Sequence, residues 1–186
     1  MTPYAADTAL FEQVLVHEDR RAAAFLPGTI DRAVAAAAAM QAERLLAALA
    51  HGEGVRNDDA DDLAETASAV QRVEAKLDLL LGLFGVLMRE RGHLPAPTRL
   101  RWSTRGARLN TDERTAPVAD GTPGLLRLQP AEWLPDCIEL PGQVMAGEPG
   151  RLWVRFDPLP AGLADALERH LFRLHRRQVA ETRRHR

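Results

Sequence analysis

Apolar residues recur at alternating intervals of three and four between residues 63 and 87, and this repeat constrains the fold more than any other feature of the chain. They occupy the a and d positions of about four heptads, with Thr66 as the one polar exception. The repeat consists of Leu63, Val70, Val73, Leu77, Leu80, Phe84 and Leu87. Because supercoiled helices carry this pattern, we predict a heptad helix over residues 60–91.

Further apolar side chains flank the second half of the repeat, namely Leu81, Leu83 and Met88. A two-stranded coiled coil would leave them in water, whereas fully burying each one contributes roughly 1.5–3 kcal/mol. The wide apolar face therefore favours a four-helix assembly of four chains. The alanine-rich segment 29–49 also favours helix, so the same face could pack internally as a helical hairpin over residues 29–92. The homotetramer and the internal hairpin do not exclude each other, because each could use a different end of the long helix.

The composition is typical of a soluble globular protein. Hydrophobic residues make up 46% of the chain and charged residues 27%. The net charge of −2 gives no overall attraction to nucleic acid or anionic lipid, so we expect neither as a partner. The most apolar stretch, Leu77 to Met88, is too short to span a bilayer, and the N-terminus does not resemble a signal peptide. We therefore expect a cytoplasmic protein without membrane insertion.

After Gly92 the apolar period changes to two, which indicates short strands. The alternating positions are Leu100 and Trp102, Leu126 and Leu128, and Leu152, Val154 and Phe156. Turn signals separate them at Asp120-Gly121, Pro123-Gly124, Pro141-Gly142 and Pro149-Gly150. Such spacing predicts an antiparallel sandwich or barrel. A final helix follows, with leucines on one face and arginines at its C-terminal end.

The order of these segments resembles a PilZ domain over residues 96–180. Ser103 and Gly106 supply the S-x-x-G of the family's D/N-x-S-x-x-G motif. The strand 152–156 follows, and then a closing helix with Leu171-Phe172 and Arg176-Arg177. The resemblance implies an α+β fold, with a six-stranded antiparallel barrel and a C-terminal helix. Members of this family are commonly receptors for cyclic di-GMP, so the resemblance also raises the question of whether this chain binds that ligand.

The ligand motif is degenerate here. Arg101 stands where the family has Asp or Asn, beside Ser103 and Gly106. No R-x-x-x-R pair precedes the barrel, although two guanidiniums are what such a ligand needs. Arg101 with Arg105, and Arg151 with Arg155, have that spacing, but on a strand they would follow one ladder without a loop to wrap a ligand. We therefore expect weak or no cyclic di-GMP binding.

The resemblance then narrows to atypical, tetramer-forming PilZ proteins, in which a long heptad helix is inserted near the start of the barrel. It implies that residues 1–28 contain the first barrel strand, at residues 9–18. It implies an inserted helical hairpin at 29–92, which forms a four-helix coiled coil in the tetramer. Residues 181–186 form a basic tail.

No combination of residues in the sequence indicates catalysis or a metal site. The histidines are scattered, and the single cysteine, Cys137, fits a buried inert thiol better than a nucleophile. Trp102, Trp133 and Trp153 fit barrel packing better than a stacking platform. The arginines of the closing helix form either a solvated helix end or a contact surface for an acidic partner protein.

From the resemblance we expect a non-enzymatic, oligomeric signalling adaptor in cyclic di-GMP-linked control of type IV pilus motility and virulence. Its partners would be its own copies and a signalling or pilus-assembly protein, and it would need no cofactor. The alternative is a true cyclic di-GMP receptor that uses non-standard arginines such as Arg101, Arg105 and Arg155.

Overall fold

The computed structural model describes residues 1–58, Leu77, Leu80, and residues 94–112, 118–134 and 136–184. Six strands form a closed antiparallel barrel in the order β1-β2-β3-β6-β5-β4, and helices cover it. In chain order the elements are α1 (Pro3–Phe11), β1 (His17–Pro27), α2 (Arg32–Asp58), β2 (Pro97–Trp102), β3 (Gly106–Asn110), β4 (Pro123–Leu128), β5 (Ile138–Glu148), β6 (Arg151–Phe156) and α3 (Ala161–Arg184). The predicted six-stranded barrel with a C-terminal helix is confirmed.

The expected strand at residues 9–18 is wrong in its position. Residues 3–11 form α1 instead, capped by the Thr2 hydroxyl, which accepts a hydrogen bond from the Ala5 N–H, and with Pro3 in the first turn. The helix stops before Gln13, which has a positive φ of 59°. The first strand begins at His17.

The β1 strand closes the barrel because it pairs with two neighbours in succession. Residues 17–22 pair with β2, and residues 23–27 pair with β4. Its apolar residues do not alternate, since the adjacent Ala22 and Ala23 are both buried. A search for period two cannot find such a strand.

Two of the four predicted turns are confirmed: Asp120-Gly121 and Pro149-Gly150 are turns, with both glycines at φ near 80°. The other two predicted turns are wrong, because they belong to strands. Pro141-Gly142 lies within β5, and Pro123-Gly124 opens β4. A Cβ on Gly142 would lie 2.3 Å from the Arg155 carbonyl oxygen, so glycine here permits close strand approach in a small barrel.

Helix α2 continues past the alanine-rich segment 29–49 and runs through Gly52 and Gly54 to Asp58. Glycine costs only about 1 kcal/mol within a helix, so Gly52 and Gly54 do not force termination. By length and composition, Arg32–Ala50 is the one segment of the described residues that could cross a membrane. One face of this segment is buried against the barrel, through Ala39, Ala42, Leu46 and Leu49.

The main core joins the barrel interior to α2 and α3. Trp102 and Leu100 from β2 lie in it with Leu126 and Leu128 from β4. Helix α3 adds Leu163, Ala166, Leu167 and Leu171.

Burial raises the pKa of the Cys137 thiol to about 11, which keeps it protonated.

Candidate functional site

The turn between β2 and β3 holds the S-x-x-G residues, and Ser103 is fully buried there. The Ser103 N–H donates to the Gly106 carbonyl at 2.9 Å, which closes the turn. The Ser103 hydroxyl accepts from the Arg105 N–H at 3.0 Å and donates to the Leu10 carbonyl of α1 at 2.7 Å. The hydroxyl is therefore engaged by the chain's own N-terminal helix.

Asp7 of α1 is the centre of a second set of contacts. Its carboxylate accepts hydrogen bonds from Arg101 Nη1 at 3.0 Å, Arg108 Nη1 at 3.1 Å and the Trp153 indole N–H at 2.7 Å. The three donors come from three adjacent strands, β2, β3 and β6. Charge-assisted bonds of this kind fix α1 across the outer surface of the barrel.

Two more arginine contacts hold the C-terminal half of α1. The Arg101 guanidinium lies 4.6 Å from the centroid of the Phe11 ring, a cation–π contact. Arg105 Nη1 donates to the carbonyls of Ala9 at 3.3 Å and Glu12 at 3.2 Å. These carbonyls lie at the negative end of the helix dipole, where a cation is favourable.

A small apolar cluster lies beneath α1, separate from the main core. Ala6, Leu10 and Phe11 pack there against Ala146 and Trp153 on the outside of the barrel. Burial of Leu10 and Phe11 contributes roughly 1.5–3 kcal/mol each. Trp153 is a packing residue rather than a stacking platform, but it packs on the outer face of the barrel under α1 and not in the barrel interior.

Gly106 allows α1 to approach the barrel. A Cβ at this position would lie 2.2 Å from the Val154 carbonyl oxygen and 2.8 Å from Leu10 Cδ2. The structure thus brings Arg101, Ser103 and Gly106 together, and all three contact or accommodate α1. We name the surface formed by these three residues with Arg105 and Arg108 the motif face.

The expectation that Arg101 and Arg105 follow one strand is wrong, because β2 ends at Trp102 and Arg105 lies in the turn. Arg151 and Arg155 do lie on the same face of β6, both exposed. Arg105 and Arg155 together line an open cavity of about 630 Å³ beside α1.

The heptad positions fall mostly outside the described residues. Leu77 and Leu80 are described, are helical, and are 54% and 62% exposed in the single chain. The remaining predicted assembly residues lie outside the described residues: Leu63, Val70, Val73, Leu81, Leu83, Phe84 and Leu87.

A buried polar network joins β1 to the loop after β4. The Arg21 guanidinium donates to both Asp19 carboxylate oxygens and to the Gln129 carbonyl, and lies 5.3 Å from the Trp102 ring centroid. Burial opposes ionisation of Asp19, but hydrogen bonds from His17 and Arg21 outweigh it and lower its pKa to about 2. The network therefore holds a permanent ion pair in the barrel wall.

His170 of α3 completes this network, since its Nε2–H donates to the Pro130 carbonyl at 3.0 Å. Burial lowers the pKa of His170 to about 4, so the ring is neutral at physiological pH. Its Nδ1 has no hydrogen-bond partner in the described part of the chain. These contacts anchor α3 on the barrel.

Sequence reasoning missed Asp7, Asp19 and Arg21. A lone aspartate in an N-terminal segment carries no pattern, and its partners are 94 to 146 positions away. Arg20-Arg21 lacks the R-x-x-x-R spacing, so no motif points to Arg21, whose guanidinium binds Asp19 and the Gln129 carbonyl.

Comparison with known proteins relates the chain to one domain family. The family model described as an atypical PilZ domain, cyclic di-GMP receptor, matches residues 46–184. The chain is also similar to a solved structure from Xanthomonas campestris, a pathogenic protein described as a new tetrameric PilZ domain self-assembled via an unusual helical bundle. The two are 41% identical with a TM-score of 0.72, over 96% of this chain and 97% of that one. No curated protein matches the chain.

Proposed function

Because this chain belongs to the PilZ domain family, as one of its atypical members, we propose that it is a non-enzymatic, oligomeric signalling adaptor without tight cyclic di-GMP binding of its own. The occupation of the motif face by α1 carries this proposal. The Ser103 hydroxyl donates to α1, and Arg101 is paired with Asp7, so neither is free for a nucleotide.

We propose that the adaptor is a homotetramer joined by the heptad helix. The exposure of Leu77 and Leu80 in the single chain supports this, because each would gain burial from a neighbouring copy. The tetrameric assembly described for the X. campestris relative, at 41% identity, also supports it.

The pathway we propose is cyclic di-GMP-linked control of type IV pilus motility and virulence in the cytoplasm. Family membership supports the link to the messenger. The X. campestris relative is described as a pathogenic protein, which favours the virulence connection. The partner would be a signalling or pilus-assembly protein.

Light scattering after size exclusion tests the assembly. The wild-type chain should give the mass of about four copies, and Leu77→Asp with Leu80→Asp should dissociate it, because each unpaired carboxylate in an apolar seam costs several kcal/mol. Gln71→Asp with Ala75→Asp adds the same charge at outward heptad positions and should remain tetrameric. A monomeric wild type would refute the proposal.

The alternative function, a true receptor using Arg101, Arg105 and Arg155, is favoured by one observation. Arg105 and Arg155 line the same open cavity. Calorimetric titration separates the two functions. If the protein is an adaptor, titration with cyclic di-GMP should reveal no high-affinity binding. Submicromolar affinity that Arg155→Ala abolishes, with Arg151→Ala as the control on the same face of β6, would establish the receptor instead.

A further inference from the structure

Two arginines face each other across strands β2 and β3. Arg101 and Arg108 are direct cross-strand partners, and both point to the outer surface, 30% and 20% exposed. Like charges directly opposite each other destabilise a sheet unless an anion lies between them. In this protein the Asp7 carboxylate lies between the two guanidiniums and accepts a hydrogen bond from each.

A neutral donor completes the site. The Trp153 indole N–H points to the same place, and its side chain is almost fully buried, with 2% exposed. Two guanidiniums and one indole N–H thus converge on a single carboxylate, that of Asp7. Glu18 is the direct cross-strand partner of Arg101 on β1 and lies 3.9 Å from Arg108 Nη2, so it offsets part of the positive charge. It is 44% exposed and does not contact Trp153 in the way Asp7 does.

We propose that Arg101, Arg108 and Trp153 form an anion-binding site, that Asp7 is its resident internal ligand, and that the exchangeable ligand is a phosphate group. Guanidinium forks match phosphate oxygens as well as they match a carboxylate. The site uses Arg108 and Trp153, which the degenerate motif does not include. It goes beyond the adaptor function and does not depend on the oligomeric state.

The fold makes exchange feasible because Asp7 is carried on a short element. Helix α1 has nine residues, and helices of that length are marginal on their own. Helix α1 therefore depends on its contacts with the barrel, and the Asp7 carboxylate accepts three of the hydrogen bonds between them. Removal of that charge leaves both arginines without their central anion.

Fluorine NMR of the full chain labelled with 5-fluorotryptophan tests the site. The chain has three tryptophans, of which Trp102 is in the core and Trp133 is 36% exposed, so each reports a different environment. In Asp7→Asn, inorganic phosphate should shift the Trp153 signal saturably, with an apparent affinity at least about tenfold tighter than in the wild type. The Trp102 signal should not move.

Matched variants make the result specific. Asp7→Glu keeps the carboxylate and should respond as weakly as the wild type, while Asp7→Asn with Arg108→Gln should lose the gain. Chloride at equal ionic strength controls for screening. A folded Asp7→Asn chain whose Trp153 signal ignores phosphate, or responds equally after Arg108→Gln, would overturn the proposal.

Two further outcomes remain decisive. If Asp7→Asn unfolds in chloride, recovery of its circular dichroism in phosphate that is lost when Arg108→Gln is added supports the site, because general salt stabilisation would act on both variants. Failure to recover, or equal recovery in both variants, contradicts it. Parallel titrations with phosphate and with cyclic di-GMP identify whether a free phosphate or a phosphodiester is the source. Tight cyclic di-GMP binding by the wild type would refute the adaptor function alone, whereas silence of Asp7→Asn would refute this site alone.

Discussion

Gly106 is the residue on which the fit between the barrel and α1 depends most directly. In Gly106→Ala the new Cβ would meet the Val154 backbone oxygen at 2.2 Å, and backbone cannot rotate away as a side chain can. We expect a loss of unfolding free energy of about 1–3 kcal/mol, measured by urea denaturation.

Gly28 provides the matched control for that substitution. A Cβ there would have nothing within 4 Å, and its φ is not in the left-handed region. Gly28→Ala should therefore leave stability unchanged or slightly raised, because alanine reduces the entropy of the unfolded chain. Equal effects at the two glycines would contradict the steric argument.

His170 gives the protein an acid sensitivity of defined sign. Its pKa is about 4 in the folded chain, against 6.5 ordinarily, so the unfolded state takes the proton first as pH falls. Stability should decrease between about pH 6.5 and about pH 4, by about 3 kcal/mol. Urea denaturation at a series of pH values measures this slope.

His170→Gln should flatten that slope, because glutamine can still donate to the Pro130 carbonyl but does not titrate. His175→Gln, at an exposed position on the same helix, should leave the slope as it is. Asp19 does not confound the window, since its pKa of about 2 means that its contribution is lost only below its ordinary value of 3.8. An unchanged slope in His170→Gln would count against burial as the cause.

At the residue scale, the sequence could identify Ser103 and Gly106 but not what they contact. Their spacing is local and matches a motif, whereas the acceptor of the Ser103 hydroxyl is a backbone carbonyl 93 positions away. Backbone acceptors carry no residue identity. The same reason hides Pro130, whose carbonyl binds both Arg21 and His170.

Among the elements, α1 is the one that sets the state of the motif face. Leu10 is 1% exposed, so Leu10→Ala should cost about 2–5 kcal/mol through lost burial and the cavity left behind. Tyr4, 83% exposed on the same helix, is the control, and Tyr4→Ala should change little. Thermal unfolding of both variants measures the difference; equal stabilities would mean that α1 is not docked.

The elements that sequence patterns found are those with simple environments. β2, β4 and β6 each have one face toward the core, so Leu100, Leu126 and Val154 stand out by alternation. β5 was not predicted, because Pro141-Gly142 is a sequence pattern typical of a turn. In the barrel this glycine instead allows β5 to lie close to the Arg155 backbone of β6. Helix α1 is nearly uniform in polarity around its axis, so its buried side could not be predicted.

For the whole molecule, assembly and folding should be coupled if four copies share a heptad seam. Mass action then makes the unfolding temperature depend on protein concentration. We expect a rise of about 5 °C for a hundredfold increase in concentration, from typical unfolding enthalpies. Calorimetry should show this shift in the wild type and not in Leu77→Asp with Leu80→Asp; a constant midpoint in both would argue against coupling.

Strand β1, which closes the barrel, also determines where the chain can be shortened. The family match begins at residue 46, but β1, at His17–Pro27, is the strand that joins β2 to β4. A fragment cut at that match would leave both neighbours as open sheet edges with unpaired N–H and C=O groups. Such edges recruit strands from other molecules, so the shortened polypeptide should aggregate while the longer one stays dispersed.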